Sequence, residues 1–131
     1  MQKETFEEEA SLLALKAQEY PSVNVSWCEP FLKIRGTSQD IDWEAVVLYH
    51  VGYRVPVLYF RPTNCVLDSK SVVESLCKWS SYVSPCELPL TGQPFYMLHP
   101  CRSQEVAGCL LPWLSVVLQV IGLTLPLELF I

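Results

Sequence analysis

The sequence predicts one α+β domain on three observations: an acidic amphipathic helix at the front, four successive strand-like segments, two alternating with period two and two richer in apolar residues, and a charge-free helical stretch near the end. Its 131 residues match one compact core at ~100 to 200 residues per domain, so positions 1–131 are read as a single unit. Thr5 and Glu8 have the capping-box spacing, Glu7–Glu9 suit the positive end of a helix dipole, and Tyr20-Pro21 supplies a stop. A helix over 6–19 follows. Phe6, Ala10, Leu13, Ala17 and Tyr20 form its buried stripe, Leu12 and Leu15 widen it, and the glutamates face water.

Val23, Val25 and Trp27 alternate with polar neighbours, and after Glu29-Pro30 the run Phe31–Arg35 alternates again, which reads as a hairpin ending at Gly36. A polar connection at 37–42 leads to strands over Trp43–Val51 and Arg54–Phe60, making a four-stranded meander. Pro56 cannot donate to a ladder and should mark an edge-facing position or a bulge. A second helix is expected from Asp68 or Ser71, with Val72, Leu76, Trp79 and Val83 buried and a Glu74–Lys78 pair. Three prolines and a glycine between Ser84 and Pro94 predict an irregular loop, and Phe95–Leu98 a short strand that His99-Pro100-Cys101 ends.

The formal charge is −5, with no basic run, which excludes a nucleic-acid phosphate backbone as the expected partner. No glycine-rich phosphate loop, H-E-x-x-H or G-x-S-x-G occurs, so kinase and hydrolase readings fall away. Six cysteines (28, 65, 77, 86, 101, 109) contain no C-x-x-C pair, and only His50 and His99 could add imidazoles, so no metal site is expected. The acidic opening MQKETFEEEA lacks the charge and apolar core of a signal peptide, which places the chain in the cytoplasm with free thiols. Val106–Leu127 carries no charge over 22 residues, enough for a bilayer at ~20 residues. Pro112, Gly122 and Pro126 nevertheless bound a shorter helix, Trp113–Ile121, better suited to a core. The thiol of Cys101 is the candidate nucleophile, because proline fixes the backbone ahead of it and Arg102 would stabilise a thiolate.

Tyr53-Arg54-Val55-Pro56-Val57-Leu58-Tyr59-Phe60-Arg61, then Gly92–Cys101 ending in His-Pro-Cys, then Trp113-Leu114-Ser115-Val116-Val117 and Gly122-Leu123-Thr124-Leu125-Pro126-Leu127 resemble the E2-like conjugating enzymes of autophagy in order and spacing. The tail resembles the autophagy-related protein ten branch rather than the lipid-conjugating protein three branch, whose long acidic insertion has no counterpart here. The resemblance implies an E2-like fold: an antiparallel meander with an N-terminal helix and C-terminal helices packed on it. It also implies a cycle without cofactor or metal, in which Cys101 accepts a ubiquitin-like modifier, autophagy-related protein twelve, as a thioester from the E1-like protein seven. The modifier then passes to a lysine of autophagy-related protein five, and the chain has no stable membrane insertion. His99 is a candidate to support the loop or the oxyanion, and Tyr49 a candidate to approach the thioester. Ubiquitin E2 enzymes place an asparagine eight residues before the cysteine; Gln93 stands there in this chain, which leaves the oxyanion donor unassigned. The rival readings are a noncatalytic E2-like binding module and a small tail-anchored protein.

Overall fold

The structure, a computed structural model, describes residues 1–20, 24–64, 73–74, 77, 79–100, 109–126 and 129. Helix α1 (Lys3–Ala17) leads into β1 (Asn24–Cys28), β2 (Phe31–Ser38), β3 (Ile41–His50) and β4 (Val55–Pro62). Then come β5 (Val83–Glu87), β6 (Pro94–Leu98) and helix α2 (Leu110–Val117), which runs on into a 3-10 turn over Leu118–Ile121. The strands form one antiparallel sheet in the order β1-β2-β3-β4-β6-β5. This is the α+β arrangement expected of an E2-like fold: the four-stranded meander is present, and the β5–β6 hairpin extends it.

Helix α1 begins three residues earlier than its sequence signals suggest. Gln2 is the N-cap and makes no side-chain capping bond, so Thr5 and Glu8 lie inside the helix and form no capping box. Phe6, Ala10, Leu13, Ala14 and Ala17 are buried, whereas Leu12 and Leu15 are more than half exposed. Those two leucines are one and two residues from Leu13, and at 100° per residue neither shares its face. Glu4 and Glu8 are exposed, but Glu9 is half-buried and lines a groove between α1 and α2 with one carboxylate oxygen unpartnered.

Strand β2 runs through Gly36 to Ser38, and the six-residue connection contracts to a two-residue turn. Gln39 and Asp40 both have positive φ (55° and 64°), the handedness that matches strand twist in a tight hairpin. Gly36 is a place of close approach rather than an end: a Cβ there would meet Leu123 Cδ2 at 3.0 Å, so the missing side chain lets the segment after α2 seat on the sheet. Pro56 pairs with Tyr49 on β3, and β6 pairs with β4 only at Tyr59 and Phe60, so the proline lies beyond the reach of β6 in the described ladder.

Val73 and Glu74 are helical, and the Cys77 amide donates to the Val73 carbonyl at 3.1 Å. Val72, Leu76 and Lys78 lie outside the described residues. Val83 is not helical: Trp79 takes a positive φ of 59°, which ends any helical stripe, and Val83 opens β5. The expected irregular loop at 84–94 therefore contains a strand. Pro85 is accommodated because β5 is the last strand of the described sheet.

Pro112 sits in the first turn of α2, where its missing N–H has no intrahelical partner to lose, so the helix starts at Leu110 rather than Trp113. Gly122, with φ 74°, closes the following 3-10 turn as expected. Trp113, Leu114, Val117 and Leu118 are buried together with the α1 stripe and with Leu32, Ile34, Ala45, Val47, Leu58 and Phe60 of the sheet. Among the described residues no helix is long and apolar enough to cross a membrane. The apolar run reads instead as core.

Leu118 is fully buried and Gln119 is exposed. Leu118→Lys would bury an unpaired charge at a cost of several kcal/mol against a typical total stability of ~5 to 15 kcal/mol. The expected outcome is loss of the cooperative circular-dichroism melt, with Gln119→Lys melting as the parent does.

Candidate active site

Alternation along β3, β4 and β6 divides the sheet into two apolar faces. Leu58 and Phe60 join the helices, while Val46, Leu48, Val57, Tyr59 and Phe95 form a second cluster with Leu88, and Met97 packs against it. At the end of this second face the β3–β4 turn and the end of β6 enclose a cleft of about 300 Å³. Its walls include His50 and Tyr53 from the turn, Val57 and Tyr59 from β4, and His99 and Pro100 after β6. Pro100 is bonded directly to Cys101, so the expected nucleophile follows the cleft wall in the chain. Cys101 itself, and Arg102 beside it, lie outside the described residues.

His99 is held at two points. Its backbone N–H donates to the Tyr82 carbonyl at 2.9 Å, and its Nε2 lies 3.1 Å from Ser84 Oγ on β5. These bonds tie the segment before Cys101 to the β5–β6 hairpin. Tyr49 is placed elsewhere. It packs with the helix-side core, its ring centroid 5.9 Å from that of Phe6, and its hydroxyl donates to the Met1 carbonyl at 2.6 Å. It therefore secures the start of α1, and it is not among the residues that line the cleft.

From the sequence, His50 is only one of two histidines available as ligand or base, Tyr53 only the first residue of a family-like motif, and Ser84 carries no signal. His50 packs against Tyr53 with ring centroids 4.5 Å apart and the planes tilted by 33°, and its Nδ1 accepts the Tyr53 backbone N–H at 3.1 Å. The Arg54 amide closes the same turn onto the His50 carbonyl at 2.8 Å, with Arg54 at a positive φ of 56°. The available signal was parity: His50 is two and four residues beyond Leu48 and Val46, both of the second cluster. Farther along that face Glu44, only 6% exposed, lies 3.5 Å from Arg61 and 3.9 Å from Arg35. Arg61 also covers the Phe95 ring at 4.4 Å.

The described cysteines differ in environment. Burial pushes the Cys77 thiol up to about 11 and raises Cys86 as well, while Cys28 and Cys109 are exposed. With such a pKa, roughly one Cys77 in ten thousand is a thiolate at pH 7, which removes it as a nucleophile. Cys65 lies outside the described residues. Among the described residues no group of three or more His, Cys, Asp or Glu could hold a metal ion.

The family profile described as "Autophagocytosis associated protein, active-site domain" matches residues 2–128, which include α1, β1 to β6, α2 and the His-Pro-Cys tripeptide. The chain belongs to this family. It is similar to the ubiquitin-like-conjugating enzyme ATG10 of Homo sapiens, 33% identical over 128 residues, which cover 77% of this chain and 57% of that protein. The protein of the same name from Arabidopsis thaliana is 33% identical over 114 residues, 63% of this chain and 49% of that one. The Pichia angusta protein is 29% identical over 87 residues, 51% of this chain and 58% of its own length. The chain thus spans about half the length of the curated relatives it matches. In this chain the cleft that Pro100 borders is the described pocket nearest in sequence to the Cys101 of the His-Pro-Cys tripeptide.

The raised Cys77 pKa has a thermodynamic sign. The folded thiol keeps its proton to about pH 11 while the unfolded thiol loses it near 9, so its contribution is fully present below about pH 9 and is lost as pH rises toward 11. Melting temperature is expected to fall more steeply between pH 9 and 11 in the parent than in Cys77→Ala, measured by circular dichroism in matched buffers.

Proposed function

We propose that this chain is an E2-like transferase of autophagy that carries a ubiquitin-like modifier as a thioester on Cys101. The observation that supports it most is the family match over residues 2–128, which spans the His-Pro-Cys tripeptide where β6 has just ended beside an open cleft. In the first step the Cys101 thiolate attacks the thioester joining the modifier to an E1-like enzyme; a new C–S bond forms and the E1 thiolate leaves. In the second, a lysine amine attacks the carbonyl carbon, the C–N bond forms as the C–S bond breaks, and the amine proton passes through water to the departing thiolate. Neither step needs a metal or cofactor.

Within this proposal the modifier is autophagy-related protein twelve, the donor is the E1-like protein seven and the acceptor is a lysine of protein five. The names of the similar proteins support a ubiquitin-like modifier in general, and the resemblance of the tail to the protein ten branch supports this set. His99 holds the approach to Cys101 in place through Tyr82 and Ser84. Tyr49 bonds the Met1 carbonyl beside α1 and is not among the residues that line the cleft.

Incubation with the modifier, the E1-like enzyme and ATP, followed by non-reducing electrophoresis, tests the proposal. A reductant-sensitive adduct is expected with the parent and with Ser at Cys28, Cys65, Cys77, Cys86 or Cys109. Cys101→Ser should lose it or replace it by a slower, reductant-resistant oxyester. A thioester that persists on Cys101→Ser would sink the assignment.

A further inference from the structure

The oxyanion donor that the sequence leaves open has a candidate in the β3–β4 turn. His50 lines the cleft that Pro100 borders, and its Nδ1 accepts the Tyr53 backbone N–H at 3.1 Å. A backbone amide can only donate, so that nitrogen must carry the lone pair, and a neutral imidazole then has its proton on Nε2. The ring is held in this orientation by its contact with the Tyr53 ring, 4.5 Å between centroids, and by the turn bond from Arg54 to the His50 carbonyl. Such bonding fixes the tautomer and supplies an oriented N–H without a proton transfer.

The tautomer of His99 is not fixed in this way, because its Nε2 faces a serine hydroxyl that can donate or accept. The remaining cleft walls, Tyr53, Val57, Tyr59, Met97 and Pro100, are mainly apolar. A peptide segment lying over them would meet ring nitrogens at the two histidines.

We propose that the cleft holds the C-terminal segment of the thioester-linked modifier, and that His50 is a positioning residue whose Nε2–H donates to a carbonyl of that segment, the thioester carbonyl or one next to it. The inference rests on the thioester reading of Cys101. His50 moves no proton: the amine displaces the Cys101 thiolate as described above, and the imidazole only holds the carbonyl and stabilises the negative charge that gathers on its oxygen.

Substitution by the two side-chain amides separates this role from a purely structural one. Glutamine places an N–H near the position of Nε2 but does not reproduce the Nδ1 acceptor, whereas asparagine can accept the Tyr53 amide but does not reach the cleft. The parent, His50→Ala, His50→Gln and His50→Asn chains are charged with the modifier by the E1-like enzyme and ATP. The E1 is then quenched, and discharge onto free lysine is followed in a single turnover, counting only the charged fraction. Discharge should slow about tenfold in His50→Ala and His50→Asn, as for loss of one hydrogen bond, and His50→Gln should recover most of that rate. If asparagine restores the rate and glutamine does not, His50 is only a brace of the turn and the inference falls. Charged His50→Ala that discharges at the parental rate overturns it as well. A parent chain that never charges removes the thioester reading, and with it this one; a charged parent with indifferent His50 variants removes this one alone.

Discussion

Strand β4 is buried along its whole first part, from Val55 to Phe60, and the rest of the structure depends on what that burial requires. A strand places successive side chains on opposite faces, so a six-residue apolar run must find cover on both sides. Leu58 and Phe60 meet the two helices, while Val57 and Tyr59 enter a smaller cluster completed by the β5–β6 hairpin through Phe95 and Leu88. The second cluster exists because β4 is not amphipathic. The cleft lies at one end of this cluster, where the β3–β4 turn reaches past it. Core and site thus share a wall, and Val57 and Tyr59 belong to both.

That shared wall also explains the division of labour among the polar groups. Tyr49 and His50 are adjacent in sequence, yet one hydroxyl bonds the Met1 carbonyl beside α1 and the other ring lines the cleft. Adjacent strand residues point apart, so only one of any such pair can serve the site. The Glu44–Arg61 pair shows how the sheet tolerates charge on the same face: the carboxylate has two guanidinium neighbours, and Arg61 lies over Phe95, so neither group is buried alone.

Much of this architecture was legible because period two and period 3.6 are written in the positions of apolar residues. The meander, the buried stripe of α1 and the core character of Trp113–Ile121 all followed from that pattern. The failures share a different cause. Gly36, Pro112 and the prolines near β5 are punctuation whose meaning depends on a partner distant in sequence: Leu123 against Gly36, the first turn of α2 around Pro112, and the end of the sheet at β5. Leu12 and Leu15 misled because hydrophobicity alone does not fix an angle on a helix. At the candidate site, Cys101 stands out by the proline before it and Arg102 after it, His99 through the resemblance, and a hairpin register counted from the meander would have placed His50 opposite Val55 and near the same face as Val46. Ser84 was not recoverable from spacing, since its bond to His99 depends on the β5–β6 pairing that the prolines concealed.

Pro85 has a consequence for how molecules of this protein meet one another. Among the described residues the ladder ends at β1 on one side and β5 on the other, and an uncovered strand edge is a template on which a second chain can add. A proline midway along β5 has no amide hydrogen to offer and its ring crowds the backbone of an incoming strand, so that border resists extension. The two sides of the sheet are therefore unequal as sites of self-association.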